Sequence, residues 1–114
     1  MKLKLVIEYG LPTDEERLRK YSEMAADPTN IKRLLDEGIV SRVTAWNDNA
    51  SHTIAEYEFE SGEQFAKYWD DIRNHQSFSK LRPYIDNPKT RIVRPAILIP
   101  STSEVGETVR KLIE

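Results

Sequence analysis

Residues 52–60, His-Thr-Ile-Ala-Glu-Tyr-Glu-Phe-Glu, place the tightest constraint on the fold. Successive side chains on a strand point to opposite faces. Ala55, Tyr57 and Phe59 therefore share one side, and His52, Ile54, Glu56 and Glu58 the other. The first side is made for a core. The second sets two carboxylates and an imidazole in the middle of a sheet-forming segment, so one face of the sheet must stay open or meet a polar partner.

The rest of the chain supplies the partners of this strand. Leu3, Leu5, Ile7 and Tyr9 alternate with Lys2, Lys4, Val6 and Glu8, which predicts a first strand ending at Gly10-Leu11-Pro12. Thr13 and Glu16 have the spacing of a capping box, and Leu18, Tyr21 and Ala25 form the stripe of the helix behind it. Asp27-Pro28 breaks that helix. Ile31, Leu34 and Leu35 carry its apolar face on to a terminator at Gly38. Ile39–Trp46 reads as a second strand, joined to residues 52–60 by the turn Asn47-Asp48-Asn49-Ala50-Ser51. Ser61 and Gln64 open a second helical region with Phe65, Tyr68, Trp69 and Ile72 at helical spacing. An interruption near Asn74–Ser77 is expected before Phe78, Leu81, Tyr84 and Ile85. Asp86-Asn87-Pro88 should end the helical region, and Arg91–Ile99 reads as the fourth strand. Pro95 inside it argues for an edge position or a bulge.

The order is β-α-β-β-α-β, an α+β class chain. It predicts a ferredoxin-like fold, with a four-stranded antiparallel sheet carrying both helical regions on one face. Strands one and three should lie centrally. Residues 1–100 form one domain, as the length of 114 residues suggests. Residues 101–114 form a tail, with Val105, Val109, Leu112 and Ile113 at the spacing of a short helix.

Several function classes fall away. The chain has no cysteine, which removes disulfides, thiolate nucleophiles and cysteine-held metals. Two histidines far apart in sequence give no metal-ligand spacing, so no metal is expected. A net charge of −2 offers nothing to an anionic membrane or to nucleic acid. RNA binding by such a sheet needs aromatics on the open face, whereas Tyr57 and Phe59 face the helices and Glu56 and Glu58 lie opposite. No stretch approaches a membrane span or a signal peptide. A cytoplasmic protein is expected.

Strand parity then sorts the candidates. Val43 and Ala45 join the helix side. The open face receives Lys4, Val6 and Glu8, then Arg42, Thr44 and Trp46, then His52, Ile54, Glu56 and Glu58. Arg94 lies opposite in parity to Arg91, Val93 and Ile97, so the fourth strand is ambiguous. A solvated face has no need of Trp46, and a dry core takes no unpaired carboxylate. The mixture fits a ligand cavity or a dimer interface with satisfied ion pairs. Glu8, His52 and Glu56 are the candidate general bases, and Arg42, Trp46 and Glu58 the candidate ligand contacts. His75, in the polar break of the second helical region, reads as a helix-terminal residue.

The same order, with EYEFES running into FAKYWDDIRNHQSFSKLRPYI, resembles the dimeric α+β barrel superfamily over residues 3–99. Phe65 and Trp69 on the helix and Ser77–Leu81 after it carry the likeness. The superfamily includes antibiotic-biosynthesis-type and haem-degrading monooxygenases. The resemblance implies that two sheets pair through their open faces, with a ligand between the open face and the helices or loops. Strand one has Glu8 and Tyr9 where haem-degrading members use an asparagine, so no cofactor is expected. The chain is thus read as a homodimer that binds a small organic molecule. Its catalytic form would be a cofactor-free, monooxygenase-like or acid–base enzyme. The alternative is a non-catalytic dimerisation or ligand-sensing module.

Overall fold

The computed structural model describes residues 2–48 and 51–94. Within them the chain runs β1 (Leu3–Gly10), α1 (Glu15–Ala25), α2 (Thr29–Asp36), β2 (Arg42–Asp48), β3 (His52–Phe59), α3 (Gly62–Asp70), α4 (Ile72–Leu81), a 3-10 turn at Arg82–Tyr84, and β4 (Asp86–Val93). The strands form one antiparallel sheet in the order β2-β3-β1-β4, so β1 and β3 are central as expected. No helix of the described residues is long and apolar enough to cross a membrane.

Local chemistry sets the helix ends. Asp14, rather than Thr13, caps α1, its carboxylate accepting from the Arg17 amide at 2.9 Å. Ser61 caps α3 through the Gln64 amide. Gln64 reaches back past it, accepting from the Glu60 amide and donating to the Gly38 carbonyl. After α2 the chain closes a Schellman motif: the Ile39 amide bonds to the Leu34 carbonyl, and the Gly38 amide to the Leu35 carbonyl. Gly38 sits at φ +70°, where a side chain would be strained. This motif uses up Ile39 and Val40, so β2 begins at Arg42 and not at Ile39.

Two further boundaries differ from the sequence expectation. The break in the second helical region falls at Asp71, which ends α3 and caps α4 through the Asn74 amide. Residues 74–77 lie inside α4. The fourth strand starts at Asp86, because the 3-10 turn reverses the chain at once. Asn87 at φ 48° and a register shift opposite Glu8–Gly10 absorb the irregular start. Pro88 is therefore the proline in the edge strand. Pro95, the remainder of the expected strand to Ile99, and the tail 101–114 lie outside the described residues.

Pairing resolves the parity of β4. Val6 faces Arg91 and Lys4 faces Val93, on the open side. Leu5 faces Ile92 and Ile7 faces Thr90, under the helices. The buried core consists of Leu5, Ile7 and Tyr9, with Leu34, Val40, Phe59, Tyr68 and Ile85. Phe59 centres it, edge-on to Phe65 and Tyr68 at 5.3 and 5.2 Å between ring centroids. At the other end of the sheet the filling is thinner. No residue of α1 or α4 is fully buried, and the space beneath them becomes the site.

Candidate functional site

The open face assembles as its parity predicts. Across the sheet, Arg42, Glu58, Lys4 and Val93 form one row. Thr44, Glu56, Val6 and Arg91 form the next, and Trp46, Ile54, Glu8 and Lys89 the third. Each carboxylate finds a cation on a neighbouring strand. Lys4 meets Glu56 at 3.4 Å and Arg42 meets Glu58 at 3.6 Å. Glu8 takes Arg91 at 2.7 Å and His52 at 3.7 Å. Glu8 and His52 are thus together, while Glu56 is committed to Lys4. Trp46 is 60% exposed beside Ile54. Arg42 and Glu58 also line a shallow depression of about 530 Å³ with Lys2, Lys4, Glu60 and Arg94.

A more apolar hollow is on the other face. Between the sheet and the helices lies a cavity of about 470 Å³. Its floor is a row in register in which three of the four side chains are small: Ala45 pairs Ala55, Ala55 pairs Ile7, and Ile7 pairs Thr90. Two alanines and a threonine cannot fill the height between sheet and helices, which a core normally packs to crystal-like density. Tyr57 and Leu5 bound the cavity on one side of this row, Tyr9 and Thr53 on the other. Met24, Phe78 and Leu81 come down from the helices.

Its polar groups are mainly phenols and carboxamides. The Tyr9 and Tyr21 hydroxyls are 2.9 Å apart, and the rings meet edge to face. Burial, then the Tyr21 hydroxyl, pushes the Tyr9 phenol well above its ordinary value. Burial raises Tyr57 in the same way, and Tyr68 too, against a lowering contact from Asn74. These phenols stay protonated and serve as hydrogen-bond donors at neutral pH.

Trp69, Asn74 and His75 line the cavity where α3 gives way to α4. The capping of α4 by Asp71 frees the Trp69 carbonyl from its helical partner, and the His75 ring takes it through Nε2. A carbonyl only accepts, so the His75 ring donates from Nε2 in this contact. The Trp69 and His75 rings meet edge to face at 5.8 Å. The helix-terminal role expected for His75 is found, and it also brings the ring to the cavity. Among the described residues no group of three or more His, Asp or Glu side chains is placed to hold a metal.

Sequence parity had assigned Tyr9 and Tyr57 to the core, which is their face. What it passed over was the consequence of Ala45 and Ala55 pairing directly. The two residues are small, adjacent across strands and on the helix side, and that was the available signal. His75 and Asn74 had none, because their approach depends on where the helix breaks.

No family model matches the chain, and no curated sequence does. Solved structures match in fold. A candidate antibiotic biosynthesis monooxygenase from Nitrosomonas europaea superposes with a TM-score of 0.66 at 8% identity, over 82% of this chain and 89% of that one. A mutant form of SnoaB, a cofactor-independent oxygenase from Streptomyces nogalater, gives 0.57 at 11% identity, over 87% and 97%. A dimeric protein of unknown function and ferredoxin-like fold from Bacteroides fragilis gives 0.57 at 14%, over 82% and 95%. The expected ferredoxin-like α+β fold is borne out.

Proposed function

We propose that the chain is a homodimeric protein that binds a small organic molecule in the cavity between its sheet and helices. Cofactor-free oxygenation or acid–base catalysis is the chemistry this site supports. The observation that carries this is the hollow of about 470 Å³ over Ala45 and Ala55, walled by aromatics and by a few convergent polar groups. Such a mostly apolar pocket with placed hydrogen-bond donors is the usual form of a small-molecule site. His75 Nδ1 is the proton acceptor nearest to hand, and the raised phenols are donors to developing negative charge. The likeness in fold to an oxygenase that needs no cofactor agrees with a site built from such groups.

In this reading the open face belongs to the second copy. Trp46 and Ile54 give it an apolar edge, and its carboxylates are matched by cations on neighbouring strands. A second reading places the ligand on this open face, with Glu8, His52 or Glu56 as base and Arg42, Trp46 and Glu58 as contacts. The depression beside Arg42 and Glu58 favours it. A non-catalytic, ligand-sensing form of either site would bind without turnover.

A screen of small aromatic molecules by protein-observed NMR separates the two sites. Binding in the cavity shifts the amides of Ala45, Ala55 and Tyr68. Shifts confined to Arg42, Thr44 and Glu58 overturn the cavity reading. Once turnover is found, His75→Asn should abolish it and Glu56→Gln leave it; the reverse pattern assigns the chemistry to the open face.

A further inference from the structure

Behind the cavity wall a chain of hydrogen bonds has a fixed direction. Arg33 on α2 grips Asp71 with both terminal nitrogens, Nη1 to Oδ2 at 2.8 Å and Nη2 to Oδ1 at 3.1 Å. The same Nη2 donates to Asn30 Oδ1 at 2.8 Å. Asn30 Nδ2 in turn donates to Asn74 Oδ1 at 3.1 Å. Asp71 also holds the backbone of Asn74, accepting from its amide at 2.9 Å. Asn30 and Asn74 both line the cavity.

The direction is forced by chemistry. A guanidinium has donors and no acceptor. Asn30 must therefore present its oxygen to Arg33 and its nitrogen to Asn74. Asn74 must answer with its oxygen, which leaves its own N–H₂ group to the Tyr68 phenol whose pKa it lowers, at a residue that lines the cavity. Orientation of an amide is usually uncertain between its two flips, but a chain anchored on arginine admits one. A second fact bears on what would meet that N–H₂ group. Among the described residues that line the cavity there is no lysine and no arginine, and the one carboxylate, Asp27, is turned to solvent and bonded to Thr29. An anion entering here would meet no lysine or arginine to offset the water it loses.

We infer that Arg33 is a positioning residue for the ligand site: through Asn30 it turns the Asn74 carboxamide so that its N–H₂ end faces the cavity, which thereby selects an uncharged molecule carrying a carbonyl-type acceptor. The inference rests on the cavity being the ligand site. Arg33 itself touches no ligand. A bond of this kind between neutral groups discriminates by about threefold to tenfold.

Three probes that share one ring system test it: acetonaphthone, ethylnaphthalene and naphthoate, titrated against the full chain and followed by NMR. The ketone should bind about threefold to tenfold tighter than the hydrocarbon, and the carboxylate weakest. The Asn74 side-chain N–H₂ resonances should move with the ketone and not with the hydrocarbon. In Asn74→Asp and Arg33→Met the ketone should lose its advantage while ethylnaphthalene affinity, the check on an intact cavity, is retained. Asn30→Asp serves where the methionine variant does not fold, since a carboxylate keeps the bond to Arg33 but offers Asn74 an acceptor in place of a donor, and the same loss is expected. A purely structural Arg33 would weaken all probes equally, and an unchanged ketone-to-hydrocarbon ratio in these variants overturns the inference. So does naphthoate binding as well as the ketone. Failure of every probe to bind overturns the cavity reading, and the inference with it; hydrocarbon binding without ketone preference overturns the inference alone.

Discussion

Tyr9 on the central strand and Tyr21 on α1 share a hydroxyl–hydroxyl hydrogen bond of 2.9 Å, the polar tie between sheet and helix above the cavity. Because α1 buries no residue fully, this bond and the Arg17–Asp86 pair at 2.9 Å do much to seat it. Tyr21→Phe should cost about 1 kcal/mol, the usual net worth of such a bond, read as a lowered urea midpoint with unchanged slope. A loss of several times that size would mean the helix seat depends wholly on the bond.

The buried phenols give stability a ceiling in alkali. Their folded values are raised above the ordinary value of 10.0. Below pH 10 both folded and unfolded phenols are protonated and their contribution is complete. Above it the unfolded chain ionises first, so stability should fall with rising pH through the folded values. Phenolate absorbance should appear in two waves, the second coinciding with loss of helical circular dichroism. A single wave near pH 10 from all five tyrosines would refute the burial of Tyr9, Tyr57 and Tyr68.

Ala55→Phe should close the cavity without unfolding the chain. The new ring would grow from the floor into empty space between Ala45 and Ile7. Ligand affinity is expected to drop more than about tenfold, while the melting temperature holds or rises. A sharply lowered melting temperature would show the space to be already filled.

Asp71 should matter on the acid side. Arg33, the first cause, holds its carboxyl below the usual value. The pair's side chains are 16% and 9% exposed, covered by their neighbours at the edge of the molecule. Its stabilisation is complete above the unfolded carboxyl value and is lost as pH falls through the lower folded one. Asp71→Ala should cost about 2 kcal/mol, as for hydrogen bonds to charged groups, and flatten the acid limb of the stability curve. An acid limb identical to that of the parent protein would remove the pair from this role.

Trp46→Glu should yield a monomer. A carboxylate placed beside Ile54 on the open face adds a charge that the proposed pairing of two sheets would have to desolvate. Light scattering should show two-subunit mass for the parent and one-subunit mass for the variant. A parent protein that is monomeric at micromolar concentration would sink the paired-sheet assembly itself.

The β-α-β-β-α-β element order was sufficient for the sheet order, and the period-2 pattern of residues 52–60 with its echo in residues 2–9 for which side chains share a face. The second follows from local geometry that holds whatever else the chain does. Glu8, Arg42, Trp46, His52, Glu56 and Glu58 lie on the open face for that reason. Element ends were less legible, because Asp71, Ile39 and Asp86 are placed by caps and turns that compete with periodicity. The cavity was decided by tertiary structure alone. It exists because Ala45 and Ala55 come into register from different strands beneath helices too well anchored elsewhere to collapse onto them. Likewise Arg33, Asn30 and Asn74 are 44 residues apart at their widest pair, and only the packing of α2 against the α3–α4 break turns three ordinary polar residues into one directed chain.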